Sequence, residues 1–337
     1  MRVNVPGGRW LAAYGLVVAV WPTLAFGQTP GTRAAGMAEA FVAVADDATS
    51  IYWNPAGMAT GAFLSFVLDY GAGDARPDSR DPAGNQSATF IGFTLPPLGL
   101  GYYRLHRVTA TPTTPEEEPA QSRQEGRQSV QGLTTSHLGV TLGQSLGQYV
   151  VVAGTVKYVQ GEVTAGSVRG TAAAALEAAD GLPRRSTSRA DVDVGAMVAV
   201  EQWRLGLVAR NLTSPTFDRP DPDGGAVELD EEVRVGVAWG AGWPGMTRVV
   251  VSADADLTRK PGLTGERRDL AGGVETWWLQ QRLGIRGGLR GSTAGKARPI
   301  VAGGVSAAIK TGVYVEAHLA RGDQDGHTWS VGGRVTF

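Results

Sequence analysis

The chain of 337 residues has no cysteine, only four histidines and no basic block, and each shortage closes off a class of chemistry. Without cysteine it forms no disulfide and offers no thiolate to a metal or an electrophile. A formal net charge of −1, with both signs scattered along the chain, leaves no phosphate-tracking surface, so nucleic acid is not an expected partner. His106, His137, His318 and His327 do not pair at ligand spacing, and neither a metal nor a cofactor is expected. Long apolar runs are also missing. Past residue 27 nothing approaches the roughly 20 apolar residues of a membrane-spanning helix. Glycine, by contrast, is abundant, with 48 residues punctuating apolar runs singly.

The N-terminus has the three-part layout of a secretory signal peptide. Arg2 and Arg9 give a positive start, Leu11 to Val20 form an apolar stretch, and Ala25-Phe26-Gly27 offers small residues at a cleavage site. Residues 1–27 are expected to be removed before Gln28. The protein is then exported, and the mature chain is either a secreted or periplasmic domain or a barrel in a bacterial outer membrane.

Period-two alternation with β-branched or aromatic residues predicts fourteen strands: 62–70, 87–95, 98–107, 134–144, 147–160, 187–200, 203–212, 232–240, 247–257, 268–278, 282–290, 300–309, 312–321 and 327–337. The gaps between them alternate long and short. The short ones include Pro96-Pro97, Ser145-Leu146, Glu201-Gln202 and Lys310-Thr311. A soluble sandwich has no reason to sort loops by parity, whereas a membrane barrel has short periplasmic turns and long outer loops.

The alternation carries chemistry. Val192, Val194 and Val198 oppose Asp191 and Asp193; Val251 and Ala253 oppose Asp254; Ile285 and Leu289 oppose Arg286 and Arg290. Likewise Val315 and Leu319 oppose Glu316, and Trp329 and Val331 oppose Arg334, while Glu275 sits in the tenth strand. A closed barrel with lipid outside and a wet lumen accounts for one apolar and one charged face on every strand. Trp203, Trp239, Trp243, Trp277 and Trp278 all fall beside short gaps, as an aromatic girdle would. The terminal Phe337 closes an amphipathic strand, the form of a signal read by the barrel assembly machinery during biogenesis. The fold expected is all-β: a transmembrane barrel of about fourteen antiparallel strands over 61–337.

Residues 31–60 alternate poorly, and 28–60 reads as a separate segment ahead of the barrel. Within "GTRAAGMAEAFVAVADDATSIYWNPAGMAT", the residues Gly36, Ala43 to Asp47, and Asn54-Pro55-Ala56 resemble the N-terminal signature of the FadL/TodX family of outer-membrane transporters, with a similar segment in the PorV/PorQ proteins. The stretch "GVETWWLQQRLGIRGGLR", with Glu275, Trp277 and Arg286, is similar to the PorV-like branch. The resemblance implies that the segment folds inside the barrel as a hatch. Asp46 and Asp47 would pair with lumen arginines or cap a short helix, and Asn54-Pro55 would set a tight turn that ends it. The alternative is a periplasmic arm that caps the barrel without gating.

The chain departs from that family in its shorter length and modest outer loops. Residues 108–133, rich in Pro and Glu, read as a disordered loop, and 172–179 (AAAALEAA) as two turns of helix. In the third strand Leu100 and Tyr102 share a face that Arg104 and His106 continue, while Tyr103 and Leu105 take the other. A kink at Tyr102 and Tyr103, opening a lateral exit as in that family, competes with a strand that has simply left the bilayer by Arg104.

Catalytic patterns fail. "GSTAGKA" (291–297) lacks P-loop spacing, Ser136 and His137 face opposite sides of a strand, and Asp218, Asp221 and Asp223 lack the distal Glu of a calcium loop. The function expected by resemblance is passage of a hydrophobic small-molecule ligand such as a long-chain fatty acid, with outer-membrane lipid surrounding the barrel. Arg286, inward at mid-strand, would face the ligand carboxylate unless Glu275, Glu316 and Asp254 neutralise it. The competing reading is a PorV-like interaction protein with a secretion-system partner and no ligand.

Overall fold

The computed structural model describes residues 29–75, 83–113, 126–221, 225–243, 246–262, 265–295, 297, 299–322 and 326–337. The signal peptide (1–27), Gln28, residues 114–125 of the Pro- and Glu-rich stretch and Asp223 lie outside the described residues.

The strands in chain order are β1 (Ser65–Ala75), β2 (Ala83–Leu95), β3 (Leu98–Pro112), β4 (Arg127–Leu146), β5 (Val150–Arg169), β6 (Arg184–Val200), β7 (Trp203–Arg210), β8 (Thr216–Asp218), β9 (Ala226–Glu228), β10 (Glu232–Trp243), β11 (Met246–Asp256), β12 (Lys260–Gly262), β13 (Gly265–Arg267), β14 (Asp269–Trp278), β15 (Leu283–Ser292), β16 (Ile300–Lys310), β17 (Val313–Arg321) and β18 (His327–Thr336). Fourteen of these close into one antiparallel barrel, while β8–β9 and β12–β13 form two small hairpins in long loops. The seam joins the two ends of the barrel sequence, with Ser65 of β1 opposite Thr336 of β18.

The outward face is apolar on every side. Leu142 is 62% and Leu319 72% exposed, and Leu205, Val251, Val274, Leu289 and Val331 stand out similarly. Apolar side chains at every second position around a closed wall cover an area no soluble monomer leaves in water, but lipid covers it. Asp191, Asp193, Asp254, Glu275, Arg286, Glu316 and Arg334 are all turned inward and buried.

The walls are taller than the alternation predicted. β4 and β5 have 20 residues each and β6 has 17, against about 9–11 for a tilted bilayer crossing. The stretch 108–133, expected to be a disordered loop, is strand as far as Pro112 and again from Arg127. The excess rises on the long-loop side. There the expected short helix, Ala172–Ala178, packs Ala175 and Leu176 on Val108, Ala110 and Val130 of the outward face. Thr171 caps that helix, its Oγ1 accepting from the Ala174 amide at 3.2 Å.

No kink occurs at Tyr102 or Tyr103. β3 pairs residue by residue with β2 and with β4 straight through both, without a shift of register. Tyr102 faces out and Tyr103 in, so Arg104 stays on the outward face. Its polarity marks the upper edge of the apolar belt. The girdle needs a correction as well. Trp203 is exposed, but Trp277 turns into the lumen, edge-on to Tyr314 at 5.5 Å. The side chain of Trp243 lies outside the described set.

Candidate functional site

Residues 29–64 fill the lumen toward the short-turn end. The segment contains α1 (Thr32–Gly36), α2 (Ser50–Trp53) and a 3-10 turn (Pro55–Thr60), and nearly all of it to Met58 is buried. Such small elements have no independent stability, so the wall must supply their partners. Asp47 accepts from the Thr49 amide and hydroxyl at the start of α2. Asn54 ends α2 and opens the 3-10 turn, its Oδ1 accepting from the Ala56 amide behind Pro55. Asn54 Nδ2 donates to Val42 O within the segment and to Ala196 O of the wall, at 3.0 and 3.2 Å.

That contact explains part of the glycine usage. A Cβ on Gly195 would stand 2.2 Å from Asn54 Oδ1 and 2.8 Å from Pro55 Cδ, and one on Gly288 would meet Met37 at 2.5 Å. Inward glycines leave the volume that this segment occupies.

Charge holds the segment in three places. Arg33 donates to both carboxylate oxygens of Glu275, at 2.8 and 2.6 Å, and also reaches Asp46 and Asp47. Asp46 in turn meets Arg248 at 3.2 Å and Arg204 at 3.6 Å on the wall. Glu39 pairs with Arg290 and lies 3.9 Å from Arg234. Asp254 accepts from the Phe41 and Val42 amides at 2.7 and 2.8 Å, and Asp69 accepts from the Thr32 amide at 3.1 Å. Burial alone would raise the Asp46 carboxyl, but Arg33, Arg248 and Arg204 outweigh it and hold it below the usual carboxylate range. Glu39 is lowered in the same way: burial opposes, while Arg290 and Arg234 prevail.

Arg286, the cation first expected to face a ligand, is not available to one. It is walled in by Glu275 at 3.5 Å and Glu316 at 3.6 Å, bonds Ser306, and packs beneath Gly36. Arg334 likewise donates to Glu316 at 3.1 Å. Asp191 and Asp193 clamp Lys157 at 2.8 and 2.7 Å, where they also hold the chain leaving β7 at Asn211 and Thr213. Asp218 of the acidic loop pairs with Arg185 at 3.4 Å.

Above the N-terminal segment lies a two-chambered vestibule. The upper chamber, of about 600 Å³, is bordered by Thr109, Gln131, Val163 and the β9 side of the loop. The lower, of about 200 Å³, is floored by Tyr52, Glu39 and Thr29. Arg107, Leu133, Leu229 and Glu232 border both chambers and form the neck. Arg210 lies over the Tyr52 ring at 4.2 Å and bonds Glu232, which also meets Lys260 at 3.0 Å. Burial pushes the Tyr52 phenol up to about 12, so it stays a neutral donor on the floor. Arg107 has no hydrogen-bonding or carboxylate partner among the described residues. It closes the expected third strand, one residue before the stretch read as loop, so sequence alone gave no reason to single it out. Arg234, Arg248 and Arg290 follow from the same alternation that located Arg286. Arg33 and Glu39 carry no periodic signal.

Comparison with known proteins places this architecture. The CymD monoaromatic hydrocarbon channel superposes with a TM-score of 0.62 at 12% identity, covering 91% of this chain and 97% of the other. The toluene transporter TbuX of Ralstonia pickettii gives 0.60 at 11% identity, with 91% and 98% covered. A FadL homologue of Pseudomonas aeruginosa gives 0.60 at 11%, with 92% and 99% covered. The fold is therefore that of FadL/TodX-type barrels. Among curated protein sequences none matches. Residues 83–256, from β2 to the end of β11, match the family model described as "F plasmid transfer operon, TraF, protein".

Proposed function

The chain belongs to the family described as F plasmid transfer operon TraF protein, with over half its length matched, and on that premise and the barrel's geometry we propose that it is an outer-membrane channel for amphiphilic small molecules. A long-chain fatty acid is the model ligand. It enters from the long-loop side, rests in the vestibule and passes the hatch when the hatch shifts. The names of the similar structures, channels and transporters of hydrocarbons, support the hydrophobic part of this reading.

One observation carries it: Arg107 stands at the neck between two chambers, unpartnered among the described residues, beside Leu105, Leu133 and Leu229. A half-buried guanidinium with free donors beside leucines suits a ligand with an anionic head and an apolar tail, because a charge-assisted bond to a carboxylate is stronger than one to a neutral acceptor.

The PorV-like reading, a barrel for secretion or surface attachment without a ligand, has its own support in the ion pairs that seat the hatch and in the regular ladder through β3. Uptake of a labelled fatty acid into liposomes separates the two. The full barrel should take it up, and Arg107→Gln should weaken apparent affinity about tenfold, the cost of one charge-assisted contact. Uptake no greater than in empty liposomes, from the full barrel and from one lacking residues 28–58, would leave the PorV-like reading.

A further inference from the structure

β6 is a central strand for half its length and an edge for the other half. It pairs with β5 from Arg184 onward, but its ladder with β7 begins only at Val194. β7 ends at Arg210, and the chain then turns in. The Leu212 amide donates to Val192 O, and the Thr213 hydroxyl to Ala190 O. These two bonds fix the facing of the strand. Even-numbered residues direct their backbone groups away from β5, so Arg184, Ser186 and Ser188 present N–H and C=O to the open side. Among the described residues no strand pairs with that side from Arg184 to Arg189. Five of these six residues are exposed. The hairpin β8–β9 lies against the inner face, where Phe217 packs on Val159 and Val163 and Asp218 bonds the Thr187 side chain, and among the described residues it pairs with no backbone group of the edge.

The edge lies clear of lipid. On β5 the outward face changes from Val156 and Tyr158 to Gln160 and Glu162, and Tyr158 is opposite Ala190. Unpaired backbone is tolerated there and not below. A bare edge is a template for another strand.

Its side chains say which strand. Arg185 and Arg189 share the inner face, four positions apart, while Arg184, on the outer face, already meets Glu162 and Asp180. Among the described residues Arg185 has only the half-exposed Asp218, and Arg189 only its neighbour's carbonyl, Ser188 O, at 3.0 Å. A second copy adding antiparallel would gather the guanidiniums of both copies on one face, and like charges across a ladder destabilise it. We propose that the edge Arg184–Arg189 is a docking site for an extended acidic segment of a partner protein, added as a strand with two carboxylates four positions apart. The inference is independent of transport.

The test uses the full-length barrel in detergent and two fluorescent octapeptides of alternating threonine and valine. One carries glutamates four positions apart, the other glutamines. The glutamate peptide should bind at least tenfold more tightly, and salt should reduce the difference. Ser186→Pro removes one outward N–H and leaves the β5 ladder intact. It should abolish binding while the barrel keeps its heat-modifiable mobility on gels. Arg185→Gln with Arg189→Gln should equalise the two peptides, and it keeps the test decisive should the proline variant fail to fold. Equal binding of both peptides to the unaltered barrel, or glutamate binding untouched by either change, overturns the proposal. Dimerisation of the barrel through this edge, seen by light scattering and lost in Ser186→Pro, would also overturn it in favour of self-association.

Discussion

Arg33 holds three carboxylates at once, and two of them, Asp46 and Asp47, belong to its own segment. The hatch is thus tied to itself and to Glu275 by a single guanidinium, and removing one partner of such a buried group typically costs about 3–5 kcal/mol. The sign of the pH dependence comes from Asp46. Its carboxyl is lowered in the folded state, so its stabilising contribution is complete above the ordinary value of 3.8 and is lost as pH falls below it. Glu39 acts in the same direction. Protease cleavage within residues 29–64 should therefore accelerate as pH falls below roughly pH 4. Asp46→Asn should cleave faster at neutral pH and lose most of that acid step. An acid step of unchanged size in the variant would place the titration elsewhere.

At the scale of elements, what the sequence disclosed depended on what surrounds each strand. Where lipid lies on one side and charge on the other, as around Val251 and Asp254, alternation locates the strand to within a residue or two. Above the lipid it fades, since water or a covering helix can lie on either face. Thus β3 to β6 looked shorter than they are, and Val108 and Ala110 are apolar outward because a helix covers them. The apparent slip at Tyr102 had the same origin: a change of medium, with no change of register. Tryptophan position misled for another reason. Proximity to a turn does not fix facing, and the parity of Trp277 is that of Glu275, inward. The N-terminal segment was legible as a separate unit through Asn54-Pro55 and the paired aspartates. Its partners on the wall were not, because pairings such as Arg33 with Glu275 span 242 positions.

For the molecule as a whole, the apolar belt is the feature on which membrane residence depends. Val251 points outward near the middle of β11, opposite Trp239 and Val274 on its two neighbours. Val251→Arg should cost about 2–4 kcal/mol in urea titrations of folding into lipid vesicles, the penalty of a cation near the bilayer midplane. Val156→Arg, on the same outward face, should behave alike. Little effect from either would mean that water covers that surface.

The hatch carries three carboxylates and one guanidinium, and the wall answers with Arg204, Arg248 and Arg290. A barrel that has lost residues 29–60 would keep those arginines without Asp46 and Glu39, and its lining, although Glu275 loses Arg33, would be more positive than with the segment in place. The pore left behind should then prefer chloride to potassium, with a reversal potential of matching sign in planar bilayers. Withdrawal of the plug would in that way set ion selectivity as well as aperture, and an anionic solute would find the opened passage already biased in its favour.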